Sequence, residues 1–82
     1  MTGPRQAVLS ACAYTLGDTV TDETQTLADL GADSLDVIEI VIDIEERLVV
    51  SLKPHDGDIS ADMTVAALIA LVERVVAKVG AA

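Results

Sequence analysis

The chain contains no Phe and no Trp, and Tyr14 is its one aromatic residue among 82. A core built without large rigid rings must be filled by aliphatic side chains, so a somewhat plastic interior is expected. Basic residues are nearly as scarce, with 5 Lys and Arg against 14 Asp and Glu and a net charge of −9. Binding a nucleic-acid backbone requires Lys and Arg, which excludes that class of partner. Cysteine occurs once, at Cys12. A single thiol allows no intramolecular disulfide and offers no metal-ligand spacing, which fits a reducing cytoplasm. No segment joins a cationic start to the apolar run of a signal peptide, and none is long enough to span a bilayer. The expectation is a cytoplasmic protein without membrane insertion.

What is present argues for a folded single domain over residues 1–82. Hydrophobic residues make up 51% of the chain, too many for an acidic disordered segment. A chain of this length buries only about 60–65% of its unfolded surface, so the core is thin. The charge is unevenly placed: from Asp18 to Glu46 every charged side chain is a carboxylate. Such a block is either a solvated, self-repelling surface or a face that steers basic partners.

Periodicity resolves three substantial helices. Pro4 suits a first helical position and Gly17 the residue just past an end, with Val8, Ala11, Cys12 and Leu16 at helical spacing between them. The small residues Ala7 and Ala11 predict close packing against another helix. From Gly17 to Ala32 the threonines and acids favour caps and loop, with Leu27 and Leu30 as its anchors to the core. Residues 34–48 are rich in β-branched side chains and would suit a strand. Helix is the better reading. Asp33 and Asp36 stand at capping-box spacing, the run continues into Glu45-Glu46-Arg47-Leu48, and Asp36, Glu39, Asp43 and Glu46 align on one helical face. Ile38, Val41, Ile44 and Leu48 are expected opposite those acids, with Val37 beside them, Ile40 on one flank and Leu35 and Ile42 on the other. Lys53 to Asp58 reads as a turn-rich linker, and Ile59 to Ala61 as a single helical turn. Thr64 caps a last helix carrying Val65, Leu68, Ile69, Val72 and Val76, with Arg74 and Lys78 toward its C-terminal end and Gly80 terminating it. The fold class is all-α, a small four-helix bundle of three longer helices and one short one.

Few of the candidate sites carry chemistry. His55, the only histidine, lies beside Pro54 and Gly57 in a loop, and no G-x-S-x-G elbow surrounds any serine. Cys12 lies in the stripe of the first helix with no base nearby, as a buried structural thiol would. A hydrolase using Ser34 or Cys12 with His55 is therefore disfavoured, and no catalytic residue is assigned. Asp56, Asp58 and Asp62 lack the glycine and terminal glutamate of a calcium loop, so no metal site is assigned either. The acid stripe on the second helix is more informative. Like charges at these spacings repel, each pair costing about 0.2–0.5 kcal/mol, and Leu35 and Ile42 beside them add apolar anchors. That combination points to recognition of a partner. Ser34, the first residue after the Asp33 cap, is where a phosphodiester would meet the positive end of the helix dipole. It is equally a common helix-start residue, and the residues alone leave these two readings open.

The segment Asp29-Leu30-Gly31-Ala32-Asp33-Ser34-Leu35-Asp36 resembles the D-L-G-x-D-S-L signature of the acyl carrier proteins. The acidic second helix with Glu39, Glu45 and Glu46, and the Thr64-Val65 start of the last helix, extend the resemblance over nearly the whole chain. It implies a four-helix bundle and a non-catalytic role. Ser34 would receive 4′-phosphopantetheine from coenzyme A through a separate phosphopantetheinyl transferase. The arm's thiol would then hold acyl groups as thioesters for ligases, synthases and acyltransferases of fatty-acid, polyketide or specialised lipid synthesis. Asp33, Leu35, Asp36, Glu39, Ile42, Asp43 and Glu46 would form the face read by basic patches on those enzymes, the carrier itself being a monomer. Leu48 stands where the family often has an aromatic, and Lys53, Pro54 and His55 where it has acids, which suggests a specialised carrier. Peptidyl or aminoacyl carriers, the alternative, more typically show G-G-x-S. A further alternative is an acidic helical interaction domain that carries nothing.

Overall fold

The computed structural model describes residues 3–52 and 58–81. Among these, the regular structure is three α-helices: α1 (Pro4–Leu16), α2 (Ser34–Leu48) and α3 (Val65–Ala81). The linker expected from Lys53, with His55, Asp56 and Gly57, lies outside the described residues.

Pro4 opens α1 without a side-chain cap, and Gly17 closes it in the left-handed conformation, φ 82°, its amide donating to the Ala13 carbonyl. Ala7, Val8, Ala11 and Cys12 are buried. Their small volume lets α1 pack against both α2 and α3. On α2 the buried residues are Val37, Ile40, Val41 and Ile44. Ile40 is therefore central to the core at 0% exposure, while Ile38 is 54% exposed. The expected face was rotated too far. At about 100° per residue, Ile38 lies roughly a quarter-turn from the middle of the buried stripe. Because α2 carries more apolar residues than one packing face holds, the elements packed around it decide which are covered. On α3, Val65, Leu68, Ile69, Leu71, Val72 and Val75 are buried.

One correction concerns the C-terminal part. α3 runs through Gly80 to Ala81 rather than stopping at Gly80. The turn expected over Ile59 to Ala61 is not an α-helix among the described residues; the Met63 amide donates to the Ser60 carbonyl at 3.3 Å, one residue further on.

The long segment between α1 and α2 is anchored throughout. Thr24 donates from its hydroxyl and its amide to the Asp22 carboxylate, and these bonds hold Asp22 below the usual carboxylate range. Glu23 accepts from Arg5 of α1. Leu27 is fully buried and Leu30 packs partly against the core. The segment is also laced to the start of α3. The amides of Leu27 and Ala28 donate to the Met63 and Ala61 carbonyls at 3.0 and 2.8 Å, and those of Val65 and Ala66 donate to Gln25 and Glu23 at 3.0 and 2.9 Å. Thr64 accepts from the Ala67 amide at 3.0 Å, the cap its sequence position foretells. The first amides of α3, which have no intrahelical acceptor, are thus satisfied by the loop.

Candidate functional site

The approach to Ser34 consists of two consecutive capped turns. In the first, Thr26 and Asp29 exchange bonds: the Thr26 amide donates to Asp29 Oδ2 at 3.1 Å, and the Asp29 amide to Thr26 Oγ1 at 3.0 Å. The turn ends as a Schellman motif. The Gly31 amide donates to the Ala28 carbonyl and the Ala32 amide to the Leu27 carbonyl, both at 3.0 Å, with Gly31 at φ 94°. Ala32 and Leu27, which such a motif brings together, are both buried. Asp33 then starts α2 with a capping box. Its Oδ1 accepts from the Asp36 amide at 2.9 Å, and Asp36 Oδ2 accepts from the Asp33 amide at 3.1 Å.

Each residue from Asp29 to Asp36 except Ser34 and Leu35 therefore has a local structural task. Ser34 and Leu35 are exposed. The Asp36 amide is capped by Asp33, whereas the amides of Ser34 and Leu35, at the first two positions of α2, have no intrahelical acceptor and stand at the positive end of the helix dipole. Beside Ser34 lies an open groove of about 330 Å³ lined by Val37, Ile38, Ile59, Ser60 and Ala61. A phosphodiester on Ser34 with an extended apolar-tolerant arm fits this arrangement.

The residues expected to meet a partner separate into two groups. Asp33, Leu35 and Asp36 surround Ser34. Glu39, Ile42, Asp43 and Glu46 lie further along α2 and line a second groove together with Tyr14 and Thr15 of α1. Asp43 is not a free acid of the stripe, because Arg47 Nε donates to its Oδ1 at 2.8 Å. Glu45, off the stripe, ties down the chain after α2 by accepting from the Leu52 amide at 2.7 Å. Tyr14 escaped the sequence reading. The available signal was a lone aromatic off the apolar stripe of an otherwise aliphatic helix. Cys12 is buried, and burial pushes its thiol up to about 11, as expected for a structural residue.

Fold and site define a small all-helical domain that presents an exposed serine at a doubly capped helix start, beside an apolar groove. The chain belongs to the family described as "Phosphopantetheine attachment site", whose sequence model matches residues 6–72. It is similar to proteins named acyl carrier protein. That of Thermotoga maritima is 38% identical over 55 residues, 67% of this chain and 65% of that protein. Those of Campylobacter jejuni and Clostridium perfringens are 42% and 39% identical over 41 residues, half of this chain and 53% and 54% of theirs. The matched stretch thus spans less than two thirds of each relative. No solved structure matches the chain.

Proposed function

We propose that the chain is an acyl carrier with Ser34 as its phosphopantetheine attachment residue. The observation that carries this reading is the exposed hydroxyl at the first position of α2, with an apolar groove beside it. When bound, the prosthetic group supplies a terminal thiol that carries acyl groups as thioesters. The chain's own residues present and recognise. Asp33 and Asp36 fix the helix start, so the serine meets a transferase in one orientation. Leu35, Glu39, Ile42 and Glu46 offer a partner charge and apolar contact together. Val37, Ile38, Ile59 and Ala61 give an acyl chain an apolar wall. Among the described residues no helix is long and apolar enough to cross a membrane; a cytoplasmic monomer serving specialised lipid or polyketide enzymes is part of this reading. So is the short fourth helix of the bundle.

Co-expression with a broad-specificity phosphopantetheinyl transferase and coenzyme A is expected to add the mass of one phosphopantetheine to the full chain. Ser34→Ala is expected to remove that addition while leaving the helical circular dichroism intact. An unchanged mass with a transferase proven active on another carrier would leave only an acidic interaction domain.

A further inference from the structure

A small hollow of about 50 Å³ on α3 is lined by Leu71, Arg74, Val75 and Lys78. All four belong to one helix, at positions i, i+3, i+4 and i+7. These are the corners of the hole that a helix offers to a side chain of another helix packed against it. Leu71 and Val75 are buried and form the floor, while Arg74 and Lys78 are exposed and stand a turn apart along one edge. Small-molecule pockets are several times larger, about 300–1,000 Å³. This one takes the tip of a single aliphatic side chain.

Charge narrows the kind of helix that would supply it. The chain as a whole carries −9, yet α3 holds two bases and one acid. Arg5 pairs with Glu23 and Arg47 with Asp43, whereas Arg74 and Lys78 form no ion pair among the described residues. The helix dipole favours a cation in the last turn, which accounts for Lys78. Arg74 lies seven residues before Ala81, beyond that reach. Glu73, the one acid of α3, projects about 100° around the helix from Arg74. The exposed residues beside the two cations are Ala67, Ala70, Ala77 and Val79, so this side of α3 is apolar surface that a lone surface helix would replace with polar residues.

We propose that this face of α3 docks an acidic amphipathic helix of a partner protein. One aliphatic side chain of that helix enters the hole, and carboxylates about a turn to either side of it meet Arg74 and Lys78. A second copy of the chain is repelled by its own −9, and an anionic lipid surface has no side chain with which to fill the hole. Arg74 and Lys78 stand about 13 and 20 Å along α3 from Val65. The Val65 end is the one that follows Ala61 and the Ser34 groove, so a helix docked on the cations leaves Ser34 open. The docking does not depend on Ser34 carrying an arm.

The probe is a synthetic helix of about 18 residues, long enough to hold its shape in water, with one leucine and glutamates three residues before it and four after. It is titrated into the isotope-labelled full chain at about 0.15 M salt, where remote acids are screened beyond about 8 Å, and followed by NMR. Saturable shifts of the Leu71 and Val75 methyl signals and the Arg74 side-chain signal are expected. Glutamine in place of both glutamates should weaken binding at least about fivefold. Arg74→Gln combined with Lys78→Gln should weaken it as much while leaving the helical circular dichroism unchanged, and alanine in place of the peptide's leucine should remove the methyl shifts. Absence of saturable shifts, or equal affinity for the glutamate and glutamine peptides, would overturn the docking face. So would the same methyl shifts on concentrating the chain alone with a rise in sedimentation coefficient, which would give the face to a second copy. The same shifts with phosphatidylglycerol vesicles would give it to a membrane and overturn the acidic helix.

Discussion

Val49 ends α2 in the left-handed region, φ 54° and ψ 48°, with its side chain 88% exposed. That conformation costs a β-branched residue about 1–2 kcal/mol, and so exposed a side chain recovers little by burial. Val49→Gly should raise stability by about 0.5–1 kcal/mol after allowing for glycine's larger unfolded-state entropy. A urea midpoint that stays put or falls would show that the valine makes an offsetting contact. Gly31 is the matched case in which the chain already uses glycine at positive φ, with open space where a Cβ would stand. Cys12 gives a pH signature. Burial raises its thiol from 9.0 to about 11, so the folded state disfavours the thiolate. The stability linked to the neutral thiol is complete below pH 9 and is lost as pH rises through 11. Wild type minus Cys12→Ala, measured by denaturant unfolding across that window, should therefore fall with pH; a flat difference would mean the thiol ionises freely in the fold.

Among the elements, the segment between α1 and α2 stands out for being loop by sequence and core by packing. Leu27→Ala should cost about 2–5 kcal/mol, as much as a mid-helix core truncation, because the residue is fully buried. A loss below 1 kcal/mol by equilibrium unfolding would show the segment to be loosely held. Its leucines were legible as anchors, and so were α1, α2, the Thr64 cap and the Asp33–Asp36 capping box. These depend on spacings of a few residues, which a sequence displays directly. The Thr26–Asp29 turn and the bonds from residues 23–28 to 61–66 were not legible. The latter join backbone groups distant in sequence, and backbone amides carry no residue-type signature; the former has a capping-box-like spacing that is hidden among the segment's other threonines and acids. The exposure of Ile38 was missed for a related reason, since its side chain suits the core and only the tertiary packing around α2 leaves it outside. At the site, Ser34 was readable as a helix start, but the motif's resemblance was needed to suggest an attached group. The structure adds why the neighbouring letters are there: Asp29 caps a turn, Gly31 reverses it, Ala32 buries and Asp33 caps again.

For the molecule as a whole, the net charge of −9 sets how partners arrive. Long-range attraction acts chiefly on association rate and weakens as salt shortens its reach. Glu39→Lys should slow arm transfer by a basic transferase about tenfold at low salt, with the gap closing near 0.5 M salt. Stopped-flow or quenched-flow rates insensitive to both changes would place recognition elsewhere. The lacing of the loop to α3 has a mechanical consequence for cargo. Ala61 lines the groove beside Ser34 and also accepts from the Ala28 amide, so one wall of the groove is tied to the segment that leads into α2. The opposite wall, Val37 and Ile38, belongs to α2, which follows the Gly31 reversal and is set in the core by Val37, Ile40, Val41 and Ile44. If the chain carries acyl groups as proposed, a bulky one wedged between these walls would press on α2 and on the carboxylates mounted on it. An enzyme touching only the outside of the carrier would then meet a differently angled row of charges, and could gauge the load before the thioester came within reach.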